Sequence, residues 1–174
     1  MREFLRWHTA IAMVAVSAVL GWAFHSRAQE SAPQPVQWSA KFASPASALH
    51  PGAKITLNLT ASIDSGWHVY AVSQPSDSPV IATDISVPAG QPLALSGDIA
   101  APQPTSRMDP TIGKQTDFYE HSAAFTLPLK VAKKARTGKH SFEVEVRFQA
   151  CSDRLCLPPR TEKIETPVSI AAGH

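Results

Sequence analysis

The chain has little of what many metal-binding or recognition proteins are built on. It holds two cysteines in 174 residues, with no second cysteine pair and no histidine pair at ligand spacing, which excludes a cysteine-rich zinc framework. Neither sign of charge is in large excess, since 16 Lys and Arg face 14 Asp and Glu. No basic stripe exists outside Lys133-Lys134-Ala135-Arg136, a solvated turn before Gly138. Nothing in that balance favours nucleic acid or an anionic membrane surface. Apolar runs are short too: the stretch from Thr9 to Phe24 is 16 residues, fewer than the roughly 20 that span a bilayer. Neither an internal repeat nor a long amphipathic helix follows it.

What the N-terminus does have is Arg2 and Arg6 ahead of the apolar run Ile11-Ala12-Met13-Val14-Ala15-Val16-Ser17-Ala18-Val19-Leu20. Small residues Ser26 and Ala28 then sit at the third-last and last positions of a candidate cleavage site. This pattern reads as an export signal over residues 1–28, with an uncleaved N-terminal anchor as the alternative. Without that segment the basic and acidic side chains balance at thirteen each. Residues 29–35, with proline and small side chains, read as a linker, and residues 36–174 as one domain large enough to bury a core without cross-links. Either fate of the signal leaves the domain facing an oxidising compartment.

The domain is patterned in twos. Ile55, Leu57 and Leu59 alternate with Thr56, Asn58 and Thr60, and Phe142, Val144, Val146 and Phe148 alternate with Ser141, Glu143, Glu145 and Arg147. Each run is a strand with one buried face. Further strands are expected at Val36 to Phe42, Trp67 to Val72, Ile81 to Val87, Leu93 to Ile99, Ala124 to Val131 and Glu162 to Ile170. About eight short strands, punctuated by many of the 15 prolines, predict an all-β, immunoglobulin-like antiparallel β-sandwich of two sheets. Pro128 places its strand at an edge or a bulge. Pro102 to Glu120 shows little alternation and reads as a long surface loop able to cover something.

The two cysteines, Cys151 and Cys156, lie between a strand-like run and Pro158-Pro159. An extended chain would hold their Cα atoms roughly 16 Å apart, whereas a disulfide needs about 4.4 to 6.8 Å. Bonding therefore requires Ser152 to Leu155 to reverse the chain as a hairpin. A bridge closing so short a loop is a weak staple, because the chain-entropy account gives it only about 2 kcal/mol. Three readings stay open: redox exchange, a structural bridge, and soft-metal binding with His68, His121 or Met108 as further ligands.

The run Phe148-Gln149-Ala150-Cys151 to Cys156-Leu157-Pro158-Pro159 resembles the active-site hairpin of the N-terminal periplasmic domain of the thiol:disulfide interchange protein DsbD. Gly66-Trp67-His68-Val69-Tyr70 is similar to the aromatic strand beside the cysteines in that family. Tyr119-Glu120-His121 leading into Phe125-Thr126-Leu127-Pro128-Leu129 resembles a later strand. The resemblance runs from about Val36 to Ile170. It implies a periplasmic domain without cofactor or resident metal, in which Cys156 forms the intermolecular mixed disulfide and Cys151 resolves it. The implied partners are thioredoxin-like proteins or domains: a membrane electron donor acting in trans, and disulfide isomerases or cytochrome-maturation thioredoxins as acceptors. Met108 to Gly113 corresponds to the family's cap loop, with Asp109 as its acidic residue and Ile112 on the shielding side. This chain has four residues between the cysteines where the best-known members have five, and Thr111 and Ile112 where their cap carries aromatics. The competing class is a non-enzymatic sandwich module that binds a protein partner and keeps the bridge for structure.

Around the cysteines, Arg154 would favour a thiolate by Coulomb attraction, or else merely cap a solvated hairpin tip; Asp153 and Asp109 would disfavour it. An acidic neighbour can instead take or return a proton. Period-two geometry sends Trp67 and Val69 to one side and His68 and Tyr70 to the other, which makes His68 and Tyr70 the candidates for lining the cysteine pocket.

Overall fold

A computed structural model describes residues 33–110 and 112–172. The export-signal segment 1–28, the first part of the linker, Thr111 and the last two residues lie outside the described residues. Among the described residues the structure is all-β, and no helix is long and apolar enough to cross a membrane.

Two long strands form the centre. β2 (Lys54–Ile63) and β8 (Ser122–Val131) pair antiparallel, with Leu57 opposite Leu127 and Leu59 opposite Phe125. Every second side chain of each strand is buried, which is what an alternating sequence produces once one face meets an apolar layer. β1 (Val36–Phe42) flanks β2, and β5 (Leu93–Leu95) flanks β8, giving the order β1-β2-β8-β5. The second layer has the order β11-β9-β4, built from β4 (Asp84–Ser86), β9 (Gly138–Phe148) and β11 (Arg160–Ile170). Phe142, Val144, Val146 and Phe148 of β9 join Leu57, Leu59, Phe125 and Leu127 in one core. Each such side chain contributes about 1.5 to 3 kcal/mol by leaving water.

A third sheet, ordered β10-β3-β7-β6, carries the cysteines. It consists of β3 (Trp67–Tyr70), β6 (Thr105–Asp109), β7 (Lys114–Glu120) and β10 (Ala150–Ser152). The long strands position it: β10 follows β9 after Gln149, and β7 turns into β8 at His121, whose φ of 61° lies in the left-handed region. The carbonyl of His121 accepts a hydrogen bond from Ile63 N at 2.8 Å, which ties that corner to the end of β2.

Several expectations need correction. The stretch read as a loop between Pro102 and Glu120 is mostly the β6–β7 hairpin. Its pattern hid it, because four of the five β6 residues are exposed and the buried one is Asp109 rather than an apolar side chain. The strands expected at Ile81 to Val87 and Leu93 to Ile99 shrink to three residues each, burying only Ile85 and Leu93. β8 is an interior strand despite Pro128. Its missing N–H falls on the side of short β5, where the register shifts from Leu95 opposite Leu129 to Ala100 opposite Thr126.

Candidate functional site

The chain reversal falls at Asp153-Arg154. Ser152 N donates to Leu155 O at 2.8 Å and Leu157 N to Ala150 O at 2.9 Å, so Cys151 and Cys156 face each other at the position between two hydrogen-bonded pairs. Antiparallel chains approach most closely there. The two cysteines are joined by a disulfide with Cα atoms 4.0 Å apart, slightly nearer than the range expected from sequence. Ser152 Oγ organises the turn by accepting from Arg154 N at 3.3 Å and Leu155 N at 3.2 Å. Gln149 Nε2 donates to Leu157 O, holding the outgoing chain before Pro158 and Pro159.

Pairing across the small sheet sets which side chains meet. Cys151 is opposite His68, which is opposite Glu120, and Tyr70 is opposite Phe118. Alternation then sends Ala150, Val69 and Tyr119 into the main core. Trp67 packs against that same core. The other face gathers Tyr70, Phe118 and Cys151 into a separate buried cluster, with Val80, Ile112 and Cys156 packed against it. Ile112 arrives there from the turn between β6 and β7. The two cysteines differ in burial: Cys151 is fully buried, while Cys156 is half-buried.

A polar chain runs from the half-buried cysteine into the protein. Tyr70 Oη lies 3.8 Å from Cys156 Sγ and donates to Asp109 Oδ2 at 2.8 Å. His68 Nε2 is 3.6 Å from the same carboxylate oxygen, too far for a hydrogen bond, and the contact is ionic only when the imidazole carries a second proton. Burial, with the Asp109 hydrogen bond adding to it, pushes the Tyr70 phenol well above its ordinary value, so Tyr70 keeps its proton at neutral pH. Burial also lowers His68 below its usual 6.5, against the opposing pull of Asp109, which favours a neutral imidazole.

The remaining residues singled out from sequence lie at the rim. Asp153, at the hairpin tip, is 4.0 Å from Arg107 Nη2. Arg154 is exposed in the same turn. Arg107 of β6 gave no sequence signal, yet its guanidinium lies 4.3 Å over the Phe118 ring and 3.2 Å from Glu120. Phe118 had a signal, because it shares the parity of Glu120 in the run Asp117-Phe118-Tyr119-Glu120. His121 and Met108 are exposed, and among the described residues no three or more His, Cys, Asp or Glu side chains gather as a metal site.

A disulfide-closed hairpin at the edge of a small sheet, carried on an immunoglobulin-like sandwich, defines a class of thiol:disulfide interchange modules. The family model described as thiol:disulfide interchange protein DsbD, N-terminal, matches residues 34–167, and the chain belongs to that family. Among solved structures, the N-terminal periplasmic domain of ScsB from Proteus mirabilis is similar in fold, with 15% identity and a TM-score of 0.50. That match covers 76% of this chain and 46% of the other, so the chain spans less than half the length of that structure. The major pilin subunit BcpA of Bacillus cereus matches at 8% identity and a TM-score of 0.43, covering 78% of this chain and 39% of its own. No curated protein matches the chain.

Proposed function

We propose that this chain is an exported relay module in which Cys151 and Cys156 alternate between disulfide and dithiol, exchanging electrons with thioredoxin-like partners in the periplasm. The observation that carries this reading is the asymmetry of the pair: Cys151 is fully buried, and Cys156 is half-buried and linked to a buried carboxylate through a protonated phenol. Residues 1–28 act as the export signal or anchor and residues 29–35 as the linker.

In the reducing half, a partner thiolate attacks Cys156 Sγ, the bond to Cys151 breaks, and Cys151 leaves with the electron pair and takes up a proton. The partner's second thiol then displaces Cys156, so two electrons and two protons reside here and the partner holds the disulfide. In the onward half, Cys156 attacks an acceptor disulfide, such as that of an isomerase or a cytochrome-maturation thioredoxin, and Cys151 resolves the adduct by attacking Cys156 Sγ. Tyr70 donates to Asp109, so its lone pairs are turned to accept the Cys156 thiol proton, with Asp109 as the terminal base. Neutral His68 sits against that carboxylate without neutralising it by proton transfer.

A Cys151→Ala variant should accumulate mixed disulfides through Cys156 with thioredoxin-fold proteins, detected by non-reducing electrophoresis and peptide mapping. The reduction potential of the pair should lie near the −200 mV region of exchanging dithiols. Unreactive sulfurs, together with a potential well below about −300 mV, would assign the bridge a purely structural role.

A further inference from the structure

We infer that the seam between β1 and β11, on elements separate from the cysteine hairpin, is a docking groove for an extended peptide segment carrying acidic side chains. The seam opens into a cavity of about 840 Å³. Its walls are mainly apolar, formed by Ala40 and Phe42 of β1, Pro45 and Ala46 of the following loop, and Val168 of β11. Three observations identify the occupant.

The first is a free backbone edge. Ala43 N donates to Thr56 O at 2.9 Å, so by the register of β1 on β2 the main-chain groups of Ser39 and Lys41 turn toward β2. Those of Trp38, Ala40 and Phe42 turn the other way, toward the seam. On the facing strand, Ser169 N and O are already bonded to Ala46 O and Leu49 N. The next outward position is Pro167, which has no N–H to offer. A strand entering the seam therefore pairs with β1.

The second is a buried hydroxyl. Thr166 is 8% exposed and lines the cavity, and its Oγ1 has no hydrogen-bond partner. A buried polar group left in this state costs about 1 to 3 kcal/mol, and a peptide N–H or C=O would satisfy it. The third is charge. Lys41, Lys139 and His140 line the cavity, and the lining residues include no acidic side chain. Backbone donors and acceptors at regular spacing are what a peptide supplies and an acyl chain lacks.

A bead library of heptapeptides, with apolar residues at alternate positions and Glu, Lys or Thr at the others, tests the inference against the full chain. Glu-rich members should be recovered. Hydrogen exchange with a recovered peptide bound should show new protection over residues 40–47. Ala40→Pro removes one outward N–H while leaving the β2 ladder intact, and should weaken binding at least tenfold. The surface pair Lys41→Glu with Lys139→Glu should do the same, and both variants should melt near the parent temperature. The inference is overturned if Lys-rich members are recovered equally, if no member binds, or if Ala40→Pro leaves affinity unchanged. Displacement of the bound peptide by dodecanoate, with dodecanoate affinity indifferent to Ala40→Pro, would reassign the groove to amphiphiles.

Discussion

β7 and β8 follow one another through a single turn residue, yet they differ in the polar chemistry buried on and around them. β8 buries Ala123, Phe125, Leu127, Leu129 and Val131, all apolar. β7 buries Thr116 beside Phe118 and Tyr119, and the strands around it bury His68 and Asp109. Among the described residues, Thr116 Oγ1 and His68 Nε2 have no hydrogen-bond partner. Buried groups in that condition lower stability, so the small sheet spends part of what the sandwich gains. The sandwich has orphaned groups too, Trp38 Nε1 and Thr166 Oγ1, but among the described residues the buried carboxylate and imidazole, Asp109 and His68, both lie in the sheet that carries the disulfide, which is the distribution expected when one region holds the fold and another holds the chemistry.

The comparison breaks most visibly at Leu127. It is fully buried opposite Leu57, and Leu127→Ala should cost about 2 to 5 kcal/mol through lost burial and a residual cavity. The urea midpoint should fall by the corresponding amount while the rate of thiol exchange through Cys156, measured below the transition, stays at the parent value. A comparable loss of exchange rate in folded protein would mean that the two regions are not separable.

Asp109→Asn should reverse that pattern. The amide still accepts from Tyr70 but is a far weaker base, so exchange should slow about a hundredfold, the low end of what a positioned acid–base group supplies. Stability should change by only about 1 to 2 kcal/mol, since one charge-assisted hydrogen bond becomes neutral. Stopped-flow exchange with a small dithiol, run beside chemical denaturation, separates the two effects. Tyr70→Phe should slow exchange similarly, because it cuts the link between Cys156 Sγ and the carboxylate.

The legible part of this molecule was the part with a repeating physical demand. β1, β2, β8, β9 and β11 announce themselves because each presents an apolar face to one core, and the immunoglobulin-like class follows from their number and spacing. The β6–β7 hairpin does not. β6 is an outer strand with an exposed run of polar residues, and its single buried member is a carboxylate chosen for its neighbours. Within the site, His68 and Tyr70 could be placed on one face by parity alone, and Asp109 and Ile112 only by resemblance. Their convergence on the cysteines depends on two hairpins meeting across a sheet, a relation with no local signature. Arg107 and Val80 were silent for the same reason.

The smallest expected effect lies in the pH dependence of stability. Burial lowers His68 below 6.5 in the folded state, while the unfolded chain binds a proton at the ordinary value. Between those two values the unfolded state holds more protons, so stability rises with pH across that window and falls as pH drops below about 6.5. The carboxylate of Asp109 opposes the shift, which keeps the slope shallow. Urea midpoints from pH 7.5 to 5 should therefore decline, and His68→Gln should flatten that decline while leaving the Cys151–Cys156 bridge intact. If the slope survives the substitution, some other group carries it, and the polar burial that separates β7 from β8 does not include a neutral histidine.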